Sequence, residues 1–155
     1  MPRPVRAKDP YDWPALLTLI RTSYAYMEGR IDPPSSMHRL TAENIARQAE
    51  TGEVWVIEEA GHPVACVFLT PRQDALYLGK LAVAQGHRGR GFARQLVAKA
   101  ENRARQMGLP ALELQTRVEL LENHVAFAAL GFMQTGETSH AGYDRPTSLT
   151  LRKTL

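Results

Sequence analysis

The sequence predicts a single-domain α/β fold, a mixed sheet flanked by helices on both faces. Three observations predict it. The 155 residues are enough to bury one core and fit one domain. Segments of helical apolar periodicity are interleaved with short apolar runs rich in β-formers, the pattern of a sheet with packed helices. The central run, "ALYLGKLAVA" (75–84), is apolar on both alternating faces, as a strand covered by helices on each side must be. No repeat, linker or composition shift divides the chain, so residues 1–155 form one unit.

The stretch near Val5 reads as a first strand. In "DWPALLTLIRTSYAYM" (12–27), Trp13, Leu16, Leu17, Ile20 and Tyr24 share a helical face, with Asp12 as the cap and Pro14 in the first turn. "GRIDPPSSMHR" breaks the period with two prolines, and "TAENIARQAETG" (41–52) resumes it between Thr41 and Gly52. "VWVIEEA", a turn at "GH" and "PVACVFLT" predict a hairpin, followed by the strand 75–84. A helix over 91–107 ends at Gly108 and Pro110. "ALELQTRV" is a further strand, "NHVAFAAL" a short helix, and the stretches around "GFMQTGE" and "SLTLRK" are two late strands.

Composition excludes several classes. Hydrophobic residues at 44% and charged residues at 23% are globular values, unlike those of disordered or fibrous chains. The formal charge of +3 suits a small anionic ligand and argues against a nucleic-acid surface, as does the absence of interleaved stacking aromatics. No apolar run reaches membrane-spanning length and "MPRPVRAKDP" lacks the apolar centre of a secretory signal, so the expected compartment is the cytoplasm. The single cysteine, Cys66 in "VACVFL", reads as a small buried hydrophobe. No His/Cys cluster has metal-ligand spacing, and no metal is expected.

The most informative stretch is "QGHRGRGFARQL" (85–96), a strand end that runs through a glycine-rich turn into a helix. A helix start presents unpaired N–H groups and the positive end of the macrodipole, and Gly89 and Gly91 let backbone approach an anion closely. Arg88, Arg90 and Arg94 add charge at the rim. The spacing fits neither a Walker loop nor a dinucleotide fingerprint.

The segment "LAVAQGHRGRGFARQLVAKAENRARQMG" resembles the cofactor-binding segment of the GNAT family of N-acetyltransferases, whose signature is Gln/Arg-x-x-Gly-x-Gly/Ala. Arg88 to Ala93 satisfy every position, "LGF" at 130–132 resembles the end of the family's second cofactor-contacting helix, and the order of elements matches over the whole chain. The resemblance implies a GNAT acyl-CoA N-acyltransferase fold and acetyl transfer from acetyl-CoA to a primary amine by direct attack in a ternary complex. It implies that the amides of Arg88, Gly89, Arg90, Gly91, Phe92, Ala93 and Arg94 hold the pyrophosphate. It also implies that Leu81, Ala82 and Val83 pair with the pantetheine arm, and a strand-end amide there suits an oxyanion hole.

Two positions depart from the family pattern. Where many members have a tyrosine that protonates the leaving thiolate, this chain has Phe127, which can pack on the cofactor but donates nothing. Where members often have asparagine, it has Leu120; Asn123, one turn later, reads as a helix N-cap or a cofactor contact. The central strand offers no carboxylate base, so Tyr77 on it, Glu119 past the following strand, and Tyr143 with His140 between the last strands are the catalytic candidates. Tyr26, Met27 and Glu28 are candidate acceptor contacts; a Glu suits a cationic amine, while Arg30 and Arg39 suit a carboxylate. The acceptor is a small molecule, amino acid or peptide amine, and the chain a monomer or homodimer. Two other readings stand beside this one: a non-catalytic acyl-CoA-binding protein, favoured by Phe127, and a basic nucleic-acid module.

Overall fold

The structure, a computed structural model, describes residues 2–155. Seven strands form one sheet: β1 (Val5–Arg6), β2 (Glu53–Glu59), β3 (His62–Pro71), β4 (Leu76–Val83), β5 (Ala111–Arg117), β6 (Met133–Thr138) and β7 (Ser148–Thr154). Their order is β1-β2-β3-β4-β5-β7-β6, antiparallel throughout except between β4 and β5. That exception is where the crossover helix α3 (Phe92–Gln106) joins parallel neighbours.

Helices α1 (Trp13–Tyr24) and α2 (Ala42–Thr51) cover one face. Their Leu16, Ile20 and Ile45 pack on Val54, Val56, Cys66 and Phe68. α3 covers the other face through Phe92, Leu96, Val97 and Ala100, against Ile57, Leu76, Leu78, Leu112 and Leu114. The short α4 (Leu121–Ala129) lies on the same side, with Phe127 packed at the margin of that core. The double-faced apolar pattern of the central strand thus has the predicted cause.

Local caps follow the sequence. The Asp12 side chain accepts from the Ala15 amide, and Thr41 with Asn44 forms a reciprocal capping box. Cys66 is fully buried, and burial pushes its thiol up to about 12. Three boundaries differ from the sequence reading. The β2–β3 turn is Ala60-Gly61, with both φ positive as a two-residue hairpin turn requires, so His62 already pairs with Glu59. α1 ends at Tyr24, and Ala25–Met27 tighten into a 3-10 turn. α4 begins two residues early, which puts Asn123 inside its first turn and makes Leu120 the residue at the cap. The N-cap reading of Asn123 fails for that reason.

No helix among the described residues is long and apolar enough to cross a membrane.

Candidate active site

The site is built where the sheet opens. β4 and β5 pair at only two positions, Leu76 with Leu112 and Tyr77 with Glu113, and then diverge. Beyond them Lys80 takes φ +51, unusual for a long side chain, where the register to β3 shifts between Cys66 and Phe68. The Tyr24 hydroxyl reaches from the end of α1 and donates to the Leu81 carbonyl at 2.6 Å, fixing this strand end. Burial raises the pKa of that phenol far above its ordinary value, so it stays a donor.

On one side of the opening lies a groove of about 700 Å³, walled by Leu81, Ala82 and Val83, by the turn before α3, and by Asn123, Phe127 and Leu130 of α4. Gly89 and Gly91 have φ of +78° and +83°, and only open space lies beside their Cα atoms. No side chain caps α3, and among the described residues the amides of Gly89, Arg90 and Gly91 bond no backbone acceptor. With the first-turn amides of Phe92, Ala93 and Arg94 they form a run of unsatisfied donors at the positive end of a helix, which is the chemistry of a phosphate cradle.

The side chains divide the work differently from the amides. Arg88 and Arg94 line the groove. Arg90 turns away and makes a bidentate pair with Glu59 at 2.7 and 3.1 Å, which, with His87 at 3.0 Å, anchors the turn to β2. The Arg90 bond holds the Glu59 carboxyl below its ordinary range. The Phe92 ring is buried in the core, so only its backbone faces the groove.

On the other side lies a cavity of about 370 Å³ between the α1–α2 connection and the exposed ends of β4 and β5. Tyr24, Tyr26, Leu81, Asn123 and Phe127 line both spaces and so mark the junction. The Asn123 amide donates to the Tyr26 hydroxyl at 3.1 Å across this junction, and Arg30 pairs bidentately with Glu122 just outside it.

Of the catalytic candidates, Tyr77 lines the cavity. Burial raises its hydroxyl pKa, and the Arg72 guanidinium lies 3.9 Å from its ring centre. Glu119 and Tyr143 line neither space. Glu119 accepts the Asp32 amide at 3.1 Å, with its other oxygen buried and without a partner, and the Tyr143 hydroxyl bonds the Asp32 carboxylate at 2.5 Å. Both fasten the α1–α2 connection, because it crosses directly over the end of β5. His140 does line the cavity; burial and Arg117 lower its pKa, which keeps it neutral at pH 7. Tyr26 and Met27 line the cavity, whereas Glu28 faces an adjacent space and pairs with His38 at 3.1 Å. Arg39 lies apart, against α2. Among the cavity residues that the sequence reading missed are Tyr24, Lys80, Gln115 and Arg117.

A mixed sheet that opens between two parallel strands, with an amide cradle on one side and an open cavity on the other, defines the acyl-CoA N-acyltransferase class of fold. Residues 13–132 match the acetyltransferase (GNAT) family, and the chain belongs to it. It is 30% identical over 92 residues to N-acetyltransferase 8F1 of Rattus norvegicus, a stretch covering 56% of this chain and 42% of that protein, so the match spans less than half of the relative. Among solved structures, an acetyltransferase of Streptococcus agalactiae superposes with a TM-score of 0.76 at 21% identity, covering 99% of this chain and 98% of that one. A GNAT family acetyltransferase of Elizabethkingia anophelis with acetyl-CoA bound superposes at 0.71 and 16% identity, covering 99% and 98%. At these identities the likeness is one of fold.

Proposed function

We propose that this chain transfers the acetyl group of acetyl-CoA to a primary amine by direct attack in a ternary complex. One observation carries the reading: the groove with its unsatisfied amides and the cavity meet at a single junction, so two ligands entering from opposite sides would touch only there. The groove residues fit the cosubstrate. The amides of Gly89 to Arg94 suit a pyrophosphate, Arg88 and Arg94 add charge, and the unpaired edge of β4 at Leu81–Val83 suits an amide-bearing arm. That a neighbour of the same fold was solved with acetyl-CoA bound supports this choice of cosubstrate. Bound there, acetyl-CoA supplies a thioester activated toward amines.

The residues at the junction exclude water, orient the amine and manage protons. Phe127 and Leu130 form an apolar wall. Phe127 has no proton to give; Tyr24 is committed to the Leu81 carbonyl at 2.6 Å, which leaves the Tyr26 hydroxyl, accepting from the Asn123 amide at 3.1 Å and with only the Asn123 oxygen at 3.4 Å to compete for its proton, as the donor for the leaving sulfur. No carboxylate lines the cavity and the Tyr77 phenol, its pKa raised by burial, stays protonated, so ordered water and the neutral His140 imidazole are the route by which the ammonium sheds its proton.

The test is release of coenzyme A with acetyl-CoA and a panel of amino acids, polyamines, aminoglycosides and peptides. Turnover with one class, and loss of both turnover and acetyl-CoA binding in Gly91→Glu, is the expected outcome. Phe127 at the junction favours a second reading, a non-catalytic acyl-CoA-binding protein; tight cofactor binding with no thiol released from any amine would select it.

A further inference from the structure

The cavity that takes the acceptor contains no Asp or Glu among its lining residues, although its presumed occupant is an amine. Most acids nearby are engaged elsewhere: Glu28 with His38, Glu122 with Arg30, Glu113 with Arg152 and Asp32 with Arg145, while Glu119 accepts the Asp32 amide through one oxygen and keeps the other unpartnered outside the cavity lining. The cavity has instead two cations without a carboxylate partner. Lys80, half-buried on the bulge of β4, donates only to the Gln48 side-chain oxygen at 2.9 Å and rests over the Phe68 ring. Arg117, at the end of β5, donates to the Pro33 and Pro34 carbonyls at 2.7 and 3.3 Å. Among the described residues neither has a carboxylate within ion-pair distance, whereas Arg30, Arg90 and Arg145 around the same site each do.

An unpaired cation removed from bulk water is destabilised, and a ligand anion that supplies charge-assisted hydrogen bonds recovers that energy. Burial lowers the pKa of Lys80 and, although the charges of Glu119 and Asp32 offset part of the shift, of Arg117. A second ammonium on the ligand would meet repulsion from both.

Resting on the acetyl-transfer reading above, we propose that the acceptor is an amine that also carries a carboxylate, a small amino acid whose carboxylate is held by Lys80 and Arg117 while its amine faces the junction at Leu81. Polyamines and aminoglycosides are excluded by the same charges. The residues that set specificity are therefore Lys80 and Arg117, and neither Glu28 nor Arg30 takes part.

The experiment compares free L-amino acids with their carboxamides, in which the anion alone is removed. Kinetically, the best amino acid is expected to exceed its carboxamide in kcat/KM by about tenfold or more, the size of one charge-assisted hydrogen bond. Arg117→Gln and Lys80→Met should each bring that ratio toward one, mainly through KM of the acceptor, with Arg117→Lys restoring part of it and KM for acetyl-CoA unchanged. Carboxamides or polyamines as the better substrates, or a ratio that survives both substitutions, would overturn the proposal. Binding needs no turnover: calorimetry of N-acetyl amino acids against their carboxamides on coenzyme A-saturated protein reads the same preference. A carboxylate preference there without any turnover would sink the acetyl-transfer reading and sustain the anion site; equal binding would sink the anion site itself.

Discussion

At the scale of single residues, the chain pairs most of its partly buried charges, and the pairs have consequences that pH reveals. Glu53 at the start of β2 is 6% exposed; burial alone would raise its pKa, but hydrogen bonds from Arg103 at 2.6 and 2.8 Å and from Trp55 at 2.9 Å outweigh it, so the net shift is downward. A carboxyl whose folded pKa is depressed stabilises the fold above its unfolded pKa, near 4.3, and loses that stabilisation as pH falls through the folded value. Arg103→Met should cost about 2 kcal/mol at pH 7, because the buried carboxylate keeps only the Trp55 hydrogen bond and Arg6 at 3.9 Å. Urea unfolding at pH 7 and pH 3 checks this: the gap between wild type and variant should narrow at the lower pH, where the variant's Glu53 is protonated. A constant gap would mean that Arg103 acts through packing alone.

Elements were legible in the sequence where one local signal dominates. Asp12 with Pro14, and Thr41 with Asn44, announce helix starts by side-chain chemistry that needs no distant partner. The turn before α3 was legible for the same reason, since what marks it is backbone amides and two glycines. What the sequence hides is contact between distant segments. Arg90 looks like a phosphate ligand until Glu59, 31 residues earlier, is seen to bind it. Glu119 and Tyr143 look catalytic until Asp32 is found beneath both. Lys80 carries no sequence sign of its left-handed backbone, yet with that conformation it lines the cavity. One junction between elements yields a direct prediction. Gly52 links α2 to β2 so closely that a Cβ there would stand 2.5 Å from the Leu69 carbonyl oxygen. Since backbone on both sides must move, Gly52→Ala should destabilise the protein by about 2 kcal/mol, measured by denaturant unfolding, despite a favourable change in chain entropy.

At the scale of the whole molecule, the connection between α1 and α2 is tied to the far half of the sheet by Arg30–Glu122, by Arg117 on Pro33, and by Tyr143 and Arg145 on Asp32. These ties matter because the sheet itself is nearly two sheets. β1 to β4 and β5 to β7 are joined along their shared edge by only the two residue pairs at Leu76 and Tyr77. The seam between them is a line of weakness in the free protein, and a molecule lying in it acts as mortar, bonding to both banks. Saturation at a hundred times Kd should add about 2.7 kcal/mol of stability, and for a chain of this size each kcal/mol raises Tm by about 2–4 °C. Hydrogen exchange should show where that gain resides: protection concentrated in residues 78–83 and 114–117, on facing banks, while β2 and β6 exchange as before. A ligand that raised Tm without quieting those two segments would be sitting on the surface of the molecule, not in its seam.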